Sequence, residues 1–99
     1  MLVNITIQTF KSENDLALSV SRWDTQKGEY MPRFKKKGLH KYSCTRIWNK
    51  KDKYQLAFIF EYQDEKAMMS CLPLWKEIEL EWQDKIENIT TGYRGILID

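Results

Sequence analysis

The residues of this 99-residue chain best suited to chemistry fall in two alternating runs. The first is Asn4, Thr6 and Gln8, three hydrogen-bonding side chains separated by the apolar Val3, Ile5 and Ile7. The second is His40, Tyr42, Cys44 and Arg46, the opening of a second alternating stretch. His40 is the only histidine, and its ordinary titration range suits proton transfer near neutrality. Arg46 has the fork geometry to hold an anion, or to pair with a carboxylate on an exposed strand. Tyr62 and Tyr93 add phenolic hydroxyl groups. Cys44 and Cys71 have no CxxC or Cys/His spacing around them and no base nearby in sequence, which argues against a thiol nucleophile and against structural zinc. Glu77, Glu79, Glu81 and Asp84 read as the solvated face of a helix rather than a catalytic carboxylate pair. No Gly-rich phosphate loop or catalytic-triad spacing is present.

The element that must position these groups is Tyr54-Gln-Leu-Ala-Phe-Ile-Phe-Glu-Tyr62, rich in aromatic residues and free of Gly and Pro. It reads as a strand with Tyr54, Leu56, Phe58, Phe60 and Tyr62 on one face and Gln55, Ala57, Ile59 and Glu61 on the other. Both faces carry apolar groups, and such a strand is normally covered on both sides. Around it, Leu2 to Phe10 and Leu39 to Trp48 read as strands, and Ile89 to Ile98 as a last strand in which Gly92 and Gly95 allow a bulge or close approach. Ser12 is the expected N-cap of a helix carrying Leu16, Val20, Trp23, Tyr30 and Phe34 at helical spacing. Gly28 and Pro32 are expected to break or kink it, and Gly38 to close it. Asp64 is expected to cap a short helix from Glu65 to Leu72. Pro73 would then open a second segment to about Glu87, with Leu74, Trp75, Ile78, Trp82 and Ile86 as its apolar stripe.

The order β-α-β-β-α-β is that of a ferredoxin-like α+β domain, with both helices on one face of a four-stranded antiparallel sheet. Residues 1–99 are expected to form a single domain, since no linker or repeat interrupts them. Val3, Ile5, Ile7, Ala57, Ile59, Ile96 and Ile98 are expected to face the helices. Asn4, Thr6, Gln8, Leu56, Phe58, Phe60, Tyr93 and Leu97 are expected on the open face. Two helices cover one face only, so the other calls for a second sheet, and a homodimer through the open face supplies it.

Over nearly its whole length the chain resembles the dimeric α/β-barrel superfamily, which includes the antibiotic-biosynthesis-monooxygenase-like proteins. The resemblance rests on the strand Leu2 to Phe10, the turn Lys37-Gly38-Leu39, the central strand running into Gln63-Asp-Glu-Lys-Ala67, and Cys71-Leu-Pro-Leu-Trp75. It implies two sheets packed face to face around an interior that binds a small apolar or aromatic molecule. It also implies a cofactor-independent monooxygenase-like or isomerase-like activity. His40, Tyr42 and Arg46 would then be the catalytic candidates, and Asn4, Thr6, Gln8, Phe58, Phe60, Tyr62 and Tyr93 the ligand-binding ones. The haem-degrading branch pairs a first-strand Asn with a Trp and a His from the second helix region. Asn4 and either Trp75 or Trp82 match that pattern, but no histidine stands in the second helix, which argues against haem.

A non-catalytic dimer that acts by binding another protein is the alternative of a different class. The RNA-recognition motif is a third, since Ala57-Phe58-Ile59 resembles part of its central strand. Tyr54, Gln55 and Leu56 stand where that motif needs a basic residue, Gly and an aromatic. The net charge of +2 also argues against nucleic acid. No apolar run approaches the roughly 18 residues of a membrane span. A cytoplasmic protein with free thiols, without metal or cofactor, is the resulting expectation.

Overall fold

The computed structural model describes residues 1–81 and 85–99. The element order is β1 (Leu2–Phe10), α1 (Glu13–Lys36), β2 (Leu39–Ile47), β3 (Tyr54–Tyr62), α2 (Glu65–Glu81) and β4 (Asn88–Ile96). The four strands form one antiparallel sheet in the order β2-β3-β1-β4, with β3 and β1 central. This is the ferredoxin-like architecture expected from the element order.

Local chemistry accounts for the element ends. The Ser12 hydroxyl accepts the Asp15 N–H at 3.1 Å and caps α1. The Asp64 carboxylate accepts the Ala67 N–H at 2.8 Å and caps α2. Arg33, Lys35 and Lys36 occupy the last turn of α1, where cations oppose the helix dipole.

The prolines act differently from expectation. Both helices are continuous, with Pro32 inside α1 and Pro73 inside α2. A proline removes the hydrogen bond to the carbonyl four residues earlier. Those carbonyls belong to Gly28 and Met69, which are exposed, as are both prolines. Water can satisfy the freed carbonyls, so neither helix has to end. After α2, residues 85–87 are non-helical. Trp82 and Asp84 lie outside the described residues.

On β1 and β3 the two faces are exchanged relative to expectation, while Tyr93 and Leu97 lie on the open face as expected. Register places Leu2, Asn4, Thr6, Gln8 and Phe10 on the same face as Tyr54, Leu56, Phe58, Phe60 and Tyr62. This is the face beneath the helices. Phe60 packs against Phe34 of α1 and Trp75 of α2, with ring centroids 5.8 and 4.9 Å apart. Phe58 meets the edge of Trp23 at 5.8 Å. Val3, Ile5, Ile7, Ala57 and Ile59 therefore point to the open face, joined by Ile89, Tyr93 and Leu97 from the β4 side. The reason is geometric. Large rings bridge the gap between a sheet and the helices above it. Short branched side chains make a flatter surface, suited to a second layer about 10 Å away. Ile96 shares the parity of Leu2 but lies beyond the helix cover and is 79% exposed.

Irregularity falls on β2 and not on β4. The pairing of β2 with β3 shifts between Leu39 and Lys41, placing His40 at the irregularity. β4 runs in continuous register with β1 through Gly92 and Gly95, and a methyl group at either glycine would meet nothing within 4 Å. β4 is an edge strand, and no other described part of the chain approaches its glycines closely.

Candidate functional site

A cavity of about 250 Å³ lies between the sheet and the two helices. Its sheet side is Asn4, Thr6 and Gln8 of β1, Phe58 and Phe60 of β3 and Thr90 of β4. Its helix side is Ser19 and Trp23 of α1 and Leu72, Trp75, Ile78 and Glu79 of α2. Ser19, Trp23, Phe60 and Ile78 are buried, while Glu79 and Thr90 are exposed and mark the rim.

The aromatic wall is built by helical spacing. Trp23 stands one helical turn from Ser19, and both reach the cavity from the sheet-facing side of α1. Trp75 and Ile78 are spaced in the same way on α2, next to the buried Leu74. Trp23 and Trp75 stack nearly parallel, with centroids 5.9 Å apart and planes at 19°. Trp75 Nε1–H donates to the Tyr62 hydroxyl at 3.3 Å, which fixes the rotation of the indole. Phe34 supports Trp75 from behind at 5.0 Å.

The polar floor comes from β1. Asn4 donates from Nδ2 to the Thr6 hydroxyl at 3.2 Å, so these two side chains orient each other. Gln8 Oε1 is buried and has no hydrogen-bond partner among the described residues. Glu79 is the one ionisable residue among the described lining residues.

The expected site residues thus separate into two groups. Asn4, Thr6, Gln8, Phe58 and Phe60 converge on the cavity. Tyr62 stands behind its wall, 1% exposed, and reaches it through Trp75 and the ring of Phe60. Burial pushes the Tyr62 phenol up to about 12, with the hydrogen bond from Trp75 opposing that shift. Tyr93 lies 57% exposed on the open face. His40 is exposed at the β2 irregularity. Tyr42 packs its ring against Trp23 and Phe60 at 6.2 and 5.5 Å and does not line the cavity. Arg46 is exposed and forms a two-pronged ion pair with Glu13 at the start of α1. His40, Tyr42 and Arg46 are therefore not brought together on one ligand-sized space. Alternation along β2 placed them in one row, but the register shift at His40 removes it from that row, and Tyr42 and Arg46 are engaged by Trp23 and Glu13 of α1 instead.

Ser19, Trp23, Leu72, Trp75, Ile78, Glu79 and Thr90 were not among the expected ligand-binding residues. The helical stripes containing Trp75 and Ile78 were legible, but their sharing a cavity with β1 depends on the face the helices cover. Neither thiol is activated. Cys71 is fully buried with Sγ 3.8 Å from the Phe34 carbonyl, and burial pushes its thiol up. Cys44 is also raised, by desolvation and then by the negative charge of Asp24. No cluster of three or more potential metal ligands occurs among the described residues. No described helix is long and apolar enough to cross a membrane.

Known structures share this fold. A dimeric ferredoxin-like protein from an uncultured marine organism is 20% identical, with a TM-score of 0.85 over 100% of this chain and 96% of that one. SnoaB from Streptomyces nogalater, a cofactor-independent oxygenase crystallised in a mutant form, is 12% identical, with a TM-score of 0.63 over 99% of this chain and 94% of that one. A monooxygenase from the ActVA-Orf6 gene of Streptomyces coelicolor, in complex with nanaomycin D, is 9% identical, with a TM-score of 0.66 over 99% of this chain and 91% of that one. At these identities the similarity establishes the ferredoxin-like fold and no more. No curated protein sequence matches the chain. Residues 1–97 match a single family along almost the full length, and the chain belongs to that family, described as "Domain of unknown function (DUF6974)".

Proposed function

We propose that this protein is a homodimer in which each protomer binds a small, largely apolar, flat molecule between its helices and its sheet. One observation carries the reading: a cavity of about 250 Å³ walled by Trp23, Phe58, Phe60 and Trp75 and floored by three polar side chains of β1. Apolar walls with a few placed polar groups are the usual composition of small-ligand sites. A dry apolar cavity of about 150 Å³ accommodates benzene, so this one has room for one or two fused rings. The ligand space is the helix–sheet cavity rather than the space between two sheets, because the polar β1 residues point to the helices.

The dimer is supported by Val3, Ile5, Ile7, Ala57 and Ile59, a contiguous apolar surface on the uncovered face. A neighbour described as a dimeric ferredoxin-like protein shares the fold. Cofactor-independent, monooxygenase-like turnover of the bound molecule is the finer form of this reading, supported by the neighbour described as a cofactor-independent oxygenase. Binding stands ahead of turnover, because Glu79 at the rim is the one ionisable group among the described lining residues.

Ligand-observed NMR with one- and two-ring aromatic compounds tests the proposal. Saturable binding at one site per protomer is expected, lost in Thr6→Phe, which fills the floor of the cavity. Absence of saturable binding by any of these compounds, or undiminished binding to a folded Thr6→Phe protein, sinks it.

A further inference from the structure

Gln8 extends the cavity reading from size and apolarity to hydrogen-bonding class. Its side chain lines the cavity, and its Oε1 is buried without a donor among the described residues. A buried carbonyl oxygen with no partner is costly, and native structures keep few of them. Asn4 and Thr6 do not relieve it by pairing with each other, since that hydrogen bond joins Asn4 Nδ2 to the Thr6 hydroxyl. The terminal torsion of a glutamine side chain is soft, so a small rotation turns the oxygen toward a molecule in the cavity. Charge narrows the class further. Neither Lys nor Arg is among the described lining residues, and Glu79 stands at the rim. An anionic ligand would lose its hydration without gaining a cationic partner.

We infer that the ligand is a neutral one- or two-ring aromatic molecule carrying an N–H or O–H group, and that Gln8 Oε1 accepts its hydrogen bond. This rests on the cavity's being a binding site at all. The ring lies against Trp23 and Trp75, and the donor points down to β1. Gln8 is then the residue that separates donor-bearing rings from plain hydrocarbons of the same shape, because only the former satisfy the buried oxygen.

Three bicyclic probes of matched size test this: indole, with an N–H donor; benzofuran, with an oxygen in its place; and indene, with neither. Dissociation constants are measured by competition in ligand-observed NMR. Indole is expected to bind about tenfold more tightly than benzofuran or indene, the effect of one net hydrogen bond. Indole-3-carboxylate is expected to bind about tenfold or more weakly than indole. In Gln8→Met, similar in size and without the acceptor, the three neutral probes should converge, while Gln8→Glu should keep the preference for indole. Equal binding of the three probes to the parent protein overturns the inference and leaves the cavity proposal standing. An unchanged preference in Gln8→Met also overturns it. Binding of none of the probes overturns both. The comparison on the parent protein requires no variant to fold.

Discussion

Trp75 links the candidate site to the core. Its indole stacks on Trp23 at 5.9 Å, packs against Phe60 at 4.9 Å, and holds the buried Tyr62 hydroxyl through Nε1–H. Tyr62 loses acidity in this position: burial first, opposed by the hydrogen bond from Trp75, leaves its phenol at about 12 against an ordinary value of 10.0. The folded state therefore favours the protonated phenol more strongly than the unfolded chain does. The contribution is fully present below pH 10 and is lost as pH rises through the interval from 10 to 12. Urea midpoints measured across that interval should fall with pH in the parent, and the fall should be shallower in Tyr62→Phe. Equal slopes in the two proteins would contradict the assignment. Arg46 illustrates the opposite case: its pair with Glu13 is exposed, and such pairs contribute little to stability. Arg46→Ala should leave the urea midpoint nearly unchanged.

At the scale of elements, the turn joining α1 to β2 sets where α2 can lie. Gly38 has φ of 110°, and its carbonyl accepts the Gln63 N–H at 2.9 Å, tying the end of α1 to the end of β3. A β-carbon added there would overlap the Ala67 β-carbon, on the first turn of α2. Gly38→Ala therefore meets both backbone strain and a contact that cannot be absorbed by a flexible side chain. It should cost about 2–4 kcal/mol in chemical denaturation. A loss below about 1 kcal/mol would mean that α2 moves easily away from the turn. At the far end of the helix pair, Tyr30 donates to Glu81 at 2.6 Å and Gln26 to the same carboxylate at 3.1 Å. These bonds hold the carboxyl of Glu81 below its ordinary range and fasten α1 to the last described turn of α2.

At the scale of the whole molecule, the helices leave one sheet face uncovered, and that face is apolar. The two faces predict different outcomes for the same substitution on adjacent residues of β3. Ile59 is on the open face and Phe58 is beneath the helices against Trp23. Ile59→Glu should yield a folded protein of half the parent mass by light scattering on a sizing column. Phe58→Glu should lose the fold, because it places a carboxylate among aromatic rings. A parent protein that is monomeric at micromolar concentration would remove the dimer from the proposed function without touching the cavity.

Alternation along Leu2–Phe10 and Tyr54–Tyr62 determined which side chains share a face, and capping at Ser12, Asp64 and Gly38 determined where the helices begin and where α1 ends. The order of elements then determined the ferredoxin-like sheet. Asn4, Thr6, Gln8, Phe58 and Phe60 were legible as one set for the same reason. Only the tertiary structure decided which face the helices cover. Both faces of β3 are apolar, so burial alone does not choose between them; side-chain size does, once helices and sheet are packed. That choice moved the polar β1 residues into a cavity with Trp23 and Trp75, while the strand order left His40 and Arg46 at the sheet edge. Local pattern fixes parity along a strand, while the layer that meets each face is set by contacts between residues far apart in the chain.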